Sequence, residues 1–210
     1  MNRLTVVGEA KAELTVERSR FLAWAAGVAD EAQAIEFVAA ASKKFYDATH
    51  NCYAFSAGQV KRFSDDGEPT GTAGRPILNV IEQKGLENTV VVVTRYFGSV
   101  KLGAGGLVRA YSNAAAAALD RAEQAEITRA REISLSVPFS LFRQTERLCD
   151  RYALEKKTLF STEAEINLLV GEEKAEAFLT ELAALDYRIS AKKGGQRDFL
   201  KALKKGDISK

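Results

Sequence analysis

Three acids stand within four residues of the stretch SDDGEPTGTAG (64–74): Asp65, Asp66 and Glu68. Carboxylates held that close push each other's pKa values apart, as general acid–base chemistry needs, and they are also hard oxygen donors for a cation. The stretch is equally rich in backbone punctuation. Asp66-Gly67 signals a turn, Pro69 fixes another backbone angle, and Gly71 and Gly74 admit positive φ or a close approach. Read that way, it is a tight loop leading into a helix. The loop reading gives every residue a local task and leads; the chemical reading requires the three side chains to converge on one pocket.

His50 is the single histidine, so any imidazole chemistry rests on it. It cannot hold zinc alone. Cys52 lies two residues on, hence on the same face of a strand. A nucleophilic thiol would need the imidazole aimed at it, which same-strand spacing rarely allows, so a small buried residue is preferred for Cys52.

A third constellation is TRYFGSVKLGAGGLVRAY (94–111). A strand feeding a glycine-rich turn into a helix gathers backbone N–H groups around an anion. Gly103, Gly105 and Gly106 supply that turn, Arg95, Lys101 and Arg109 supply charge, and Tyr96, Phe97 and Tyr111 offer faces for base stacking. The run matches neither nucleotide-binding glycine pattern, and close packing of helix on sheet explains the glycines equally well. The segment 188–210, with eight basic and two acidic residues, suits either a phosphate-rich surface or a solvated tail.

The elements that must position these residues belong to a chain of 210 residues, enough for two small domains. Its 46% hydrophobic content and net charge of +2 describe an ordinary soluble globular protein and neither demand nor exclude nucleic acid. Apolar stretches such as Val90–Val93 and Ala114–Leu119 are far too short to cross a bilayer, and charges arrive too early for a signal peptide. Two distant cysteines fit a reducing cytoplasm.

Strands are expected at 4–7, 13–16 and 20–28, then a helix over 31–46 capped by Asp30 and burying Ala34, Phe37, Val38, Ala41 and Phe45. Strands at 51–58 and 60–64 precede a helix at 76–84 that stops at Gly85; a buried strand at 89–94 precedes an alanine-rich helix over 107–124. A strand at 132–138, a helix at 140–152, strands at 155–160 and 164–170, a helix at 173–185 and a strand at 187–193 then spell βαββαβ. The charged run AEQAEITRARE marks a boundary, giving domains at 1–126 and 130–210.

Ser19-Arg20-Phe21, His50-Asn51-Cys52-Tyr53-Ala54, SDDGEPTGTAGRPIL (64–78) and VTRYFGSVKLGAGGLVRAY (93–111) together resemble the IMPACT/YigZ family. The long blocks of the first half carry the resemblance; the second half agrees in element order and length. It implies an α+β chain of two domains. The N-terminal one is ribosomal protein S5 domain 2-like, and the C-terminal one is ferredoxin-like, resembling the last domain of elongation factor G. The family pattern carries a second glycine after R-Y-F/Y-G, where this chain has Ser99.

The resemblance implies a cytoplasmic, translation-associated regulator binding RNA, the ribosome or a translation factor, with no cofactor, no metal and no membrane. The expected ligand groove comprises His50, Asp65, Asp66, Glu68, Arg95, Tyr96, Lys101, Gly103, Gly105, Gly106 and Arg109, with the DDGEP loop and the GAGG turn lining it together. A catalytic role is not expected. The alternative is a hydrolase or phosphate-handling enzyme using the acidic loop and the glycine turn.

Overall fold

The computed structural model describes residues 3–203. They form an α+β chain of two compact units: one runs to Glu126 and includes Ala202 and Leu203, the other is Ile127–Lys201.

The first unit is built on an antiparallel sheet in the order β2-β3-β6-β4-β5, following the short strand β1 (Arg3–Val7). The hairpins are β2 (Glu9–Val16) with β3 (Ser19–Gly27), and β4 (His50–Ala57) with β5 (Val60–Ser64). Strand β6 (Thr89–Tyr96) lies between them, pairing with β3 on one side and β4 on the other. Helices α2 (Gly74–Gln83) and α3 (Gly103–Arg121) pack on one face, and α1 (Glu31–Lys44) on the other. Layers on both faces explain why β6 reads as continuous β-branched residues and is buried from Thr89 to Arg95.

Directly paired residues of neighbouring strands share a face. Phe21 and His50 both pair with Arg95, so their three side chains form a row across the sheet on the α3 side. Ala23, Val93 and Cys52 form the next row, inside the main core.

Local rules set most helix ends. Asp30 caps α1 by accepting from the Gln33 amide, and Lys43 and Lys44 complement the negative end of that helix. Gly85, at φ +64°, ends α2 as its left-handed terminator. The GAGG segment is a correction to the sequence reading. Gly103, Gly105 and Gly106 are not a turn before the helix but the first turn of α3 itself. Glycines carry no side chain with which to show a helical period, so the apolar pattern becomes visible only at Leu107.

In the second unit the strands β7 (Glu123–Val137), β9 (Ala164–Gly171) and β8 (Ala153–Phe160) pair in that order, and β10 (Ser190–Ala202) also pairs with β7. With α4 (Phe142–Tyr152) and α5 (Glu172–Leu185) it follows the βαββαβ order of a ferredoxin-like fold. Its core sets Ile133, Leu135, Ile166 and Leu168 from the sheet against Leu148, Phe178 and Leu182 from the helices. The charged run is strand, with β7 continuing unbroken from Glu123, and the two units divide within it, between Glu126 and Ile127. β7 buries Ala125, Ile127, Ala130 and Ile133, a spacing that slips out of strict alternation and hides the strand. Strand β10 begins three residues later than expected and runs on to Ala202, exposed along nearly its whole length. Most of the basic segment 188–210 thus belongs to this strand, while its last residues lie outside those described. No helix among the described residues is long and apolar enough to cross a membrane.

Candidate functional site

The three acids of DDGEP take three different directions. Asp65 turns onto its own loop: Oδ1 accepts from the Ala73 and Gly74 amides at 3.0 and 2.8 Å, and Oδ2 from the Gly71 amide at 2.8 Å. It thereby supplies the cap that Ala73, at the start of α2, cannot provide. Burial raises the pKa of this carboxyl, but the three N–H donors outweigh it and hold the group below its ordinary value. A folded-state pKa below the unfolded one, about 3.9, contributes stability above that value, which is lost as pH falls through the folded pKa. Asp65→Asn gives up the charge and sets an NH2 donor against one of these loop amides, so it should be less stable than the parent at pH 7 by about 1–2 kcal/mol, with the gap narrowing as pH falls towards 3. Urea titrations of both proteins at each pH check this; a gap independent of pH would mean the carboxylate charge contributes nothing.

Asp66 sits at φ +42° in the turn, and its Oδ2 accepts from the Asn51 amide at 2.6 Å. The Asp66 carbonyl oxygen lies 2.7 Å from Nδ1 of His50. A carbonyl only accepts, so Nδ1 carries the proton and Nε2 is the ring atom facing Glu68, 3.9 Å away. Asn51 is fixed in turn by Thr94, whose hydroxyl donates to its Oδ1 at 2.7 Å.

Glu68 alone goes inward. Its Oε1 accepts from Arg95 Nη1 and from the Tyr111 hydroxyl, both at 2.7 Å, and its side chain is 3% exposed. Arg95 is stacked near Phe21 and Phe97, with Nη2 3.4 Å from the Ser19 hydroxyl oxygen, while its Nε has no hydrogen-bond partner among the described residues. Phe21 meets Tyr111 edge-on at 5.2 Å, closing the cluster against the core. The Cys52 thiol lies within reach of the Asp65 carbonyl oxygen at 3.0 Å and the Tyr111 hydroxyl oxygen at 3.4 Å. Burial pushes that thiol up to about 12, so it stays protonated and is no nucleophile at neutral pH.

A second grouping lies at the N-terminus of α3. A cleft of about 460 Å³ is lined by Glu17, Lys101, Gly106, Arg109 and Asn113, among others. Lys101 and Arg109 are exposed and belong to no ion pair among the described residues. Helix α3 has no side-chain cap and no acid in its first turn, so its N–H groups and positive dipole end are uncompensated there. The backbone at this rim is strained. Glu17 and Arg18 form the β2–β3 turn at φ +45° and +66°, and Ser99 sits at φ +71°. Left-handed backbone costs an ordinary side chain roughly 1–2 kcal/mol, and such outliers cluster where a side chain is kept for use.

Of the expected groove residues, the structure joins His50, Asp66, Glu68 and Arg95 in the first grouping and Lys101, Gly106 and Arg109 in the second. Gly105 lies beside the Arg109 guanidinium, and Gly103 opens α3 at φ +66°. Tyr96 alternates to the opposite face of β6 from Arg95, where its hydroxyl donates to Asp47 at 2.9 Å. None of the three acids lines the α3 cleft; the loop and the helix are linked through Tyr111, which α3 delivers to Glu68. Ser19 and Tyr111 were missing from the expected set. The signal for them was the burial of Arg95 on a core strand, since a buried guanidinium needs acceptors from several elements. Among the described residues, no three His, Cys, Asp or Glu side chains are grouped to hold a metal ion.

The model of the Impact N-terminal domain family matches residues 17–119, a span that holds both groupings. The IMPACT family member YvyE of Bacillus subtilis is 35% identical over 200 residues, covering 93% of this chain and 92% of that protein. An IMPACT family member from the pol 5' region of Thermus thermophilus is 55% identical over 124 residues, or 59% of this chain and 68% of the relative. A crystal structure described as a hypothetical protein is 27% identical and aligns over 98% of this chain and 99% of its own, with a TM-score of 0.63.

Proposed function

The chain belongs to the IMPACT family, and from that premise we propose that it is a translation-associated regulator that binds RNA, on or off the ribosome, through the α3 cleft of its first unit. The observation that carries the reading is the rim of that cleft. Lys101 and Arg109, exposed and in no ion pair among the described residues, stand beside the uncapped start of a 19-residue helix, near backbone held at positive φ at Glu17, Arg18 and Ser99. Phosphate oxygens match both the formal charges and the N–H groups. Glu17 on the same rim disfavours a bare acidic ligand lying deep in the cleft and suits a backbone that tracks past it.

The hydrolase reading finds less support. Asp65 and Asp66 are satisfied by backbone amides, Glu68 is paired inside the core, and the Cys52 thiol is held protonated.

Co-sedimentation with ribosomes and mobility shifts on single-stranded RNA, each across a salt series, test the proposal. Association is expected to weaken steeply with salt. Lys101→Glu with Arg109→Glu is expected to reduce affinity by about tenfold or more and to make the log–log salt slope shallower by about 1–2. No association at low salt, or equal binding by the double variant, would overturn it.

A further inference from the structure

The first unit carries a second pocket, which the RNA reading does not use. Helix α1 packs over β4 and β6 and leaves most of the same face of β2 and β3 open. On that face lies a cavity of about 280 Å³, lined by Lys11, Glu13, Leu22, Trp24, Phe45 and Arg121, among others. Leu22, Trp24 and Phe45 are half-buried and form its apolar floor. Arg121, at the end of α3, reaches the edge of the sheet and donates to the Lys11 carbonyl oxygen at 3.1 Å.

Its charges gather round one aromatic ring. The ammonium groups of Lys11 and Lys44 lie 4.2 and 4.9 Å from the centroid of the Trp24 ring, held by the negative face of the indole. Lys44 and Arg121 are exposed and belong to no ion pair among the described residues. The acids of this face are engaged. Glu9 accepts from the Trp24 indole N–H at 2.9 Å and lies 4.0 Å from Lys11, while Glu13 is held by Arg20 at 2.9 Å. Three cations therefore border the apolar floor, and neither carboxylate is free to answer Lys44 or Arg121.

A bare phosphate would pair with the cations and leave the floor in water. A neutral ring stacked on Trp24 would displace the ammonium groups and give them nothing in return. A planar ring that carries its own anion meets both demands, because the ring covers the indole while the anion takes up the displaced lysines and Arg121. A phosphate monoester, with about two negative charges at neutral pH, matches three cations better than a single carboxylate does. The cavity is at the small end of ligand pockets and admits one ring system. We propose that it binds a nucleoside monophosphate, the base on Trp24, Leu22 and Phe45 and the phosphate on Lys11, Lys44 and Arg121. The site is separate from the α3 cleft and does not depend on RNA binding there.

Trp24 is the single tryptophan of the chain, so its emission reports this pocket and not the α3 cleft. The probes are adenosine monophosphate, adenosine, ribose phosphate and benzoate, each titrated against the intact chain with excitation where the nucleotide does not absorb. Adenosine monophosphate is expected to quench Trp24 saturably and to bind about tenfold or more tightly than the other three, which lack the phosphate or the base. Lys44→Gln with Arg121→Gln should remove the advantage of the nucleotide over adenosine. Both side chains are exposed, and circular dichroism confirms that the variant is folded. No saturable quenching at millimolar nucleotide, equal affinity for nucleotide and adenosine or benzoate, or an unaffected variant would each overturn the proposal. So would emission from the nucleotide-free chain that shifts with protein concentration, the sign of a second copy covering this face.

Discussion

Glu68→Ala is expected to destabilise the protein by about 3–5 kcal/mol, the range found when one partner of a buried ion pair is removed. The reason is what remains behind. Arg95 is 5% exposed, so without Glu68 its guanidinium charge would face Phe21, Phe97 and a 3.4 Å contact to Ser19. Its Nε is already without a partner among the described residues, so the site has no reserve acceptor to offer. Tyr111 would lose its acceptor as well, leaving a buried hydroxyl unsatisfied. Replacing the pair together, Glu68→Leu with Arg95→Met, removes the stranded charge and should recover part of the loss, leaving mainly the Tyr111 penalty of about 1–3 kcal/mol. Urea unfolding of the three proteins decides it. A double variant less stable than Glu68→Ala, or a single substitution costing under about 1 kcal/mol, would show that the cluster is not held by this pair.

The neighbouring positions 98 and 99 should respond to substitution in opposite directions. A Cβ placed on Gly98 would overlap the Arg18 carbonyl group and the Ser19 backbone nitrogen. These obstacles are backbone, so no rotamer change relieves them, and the Gly98 N–H would also be pushed from the Ser19 hydroxyl it now donates to at 3.1 Å. Gly98→Ala is expected to cost about 3 kcal/mol, the upper end of overpacking. Ser99, at φ +71°, carries a side chain where glycine is at ease. Ser99→Gly should therefore stabilise by about 0.5–1 kcal/mol, the relief of left-handed strain less the added flexibility of the unfolded chain. Thermal or urea midpoints measure both. Matching effects at the two positions would contradict this geometry, and any change in RNA binding by Ser99→Gly would report on the strained rim directly.

Much of the architecture was legible because its signals are local. Asp30 followed by the Ala34, Phe37, Val38 and Ala41 period gives α1 its start and buried face, and Gly85 marks the end of α2. The β-branched run of β6 declared burial on both faces. The same reasoning fails where the signal is silent or cancelled. The glycines at the start of α3 carry no side chain to show a period, and β7 slips its alternation while crossing the charged run.

The site was legible in its residues but not in their directions. Asp65, Asp66 and Glu68 look alike in sequence, yet one caps a helix, one holds a strand amide and one enters the core. The choice is made by partners remote in the chain: Tyr111 lies 43 residues from Glu68, and Arg95 lies 27. Local turn chemistry accounts for Asp65 and Asp66 and says nothing of Glu68. Only the register that sets Phe21, Arg95 and His50 in one row reveals where its carboxylate must go.

That register also dictates an order of assembly. The β2–β3 and β4–β5 hairpins are each local, but the strand that joins them, β6, comes later in the chain than both. During synthesis the two hairpins have no shared neighbour until Tyr96 has emerged, and each presents an unpaired strand edge for that interval. Closing the sheet pairs Ser19 with the far end of β6 across more than 70 residues, an entropic barrier that must be crossed before the contacts repay it. Arg95 and Glu68 therefore meet only as the sheet closes. Their ion pair acts as a latch on completed folding, and a chain truncated before β6 would leave Glu68 with no cation to bury against.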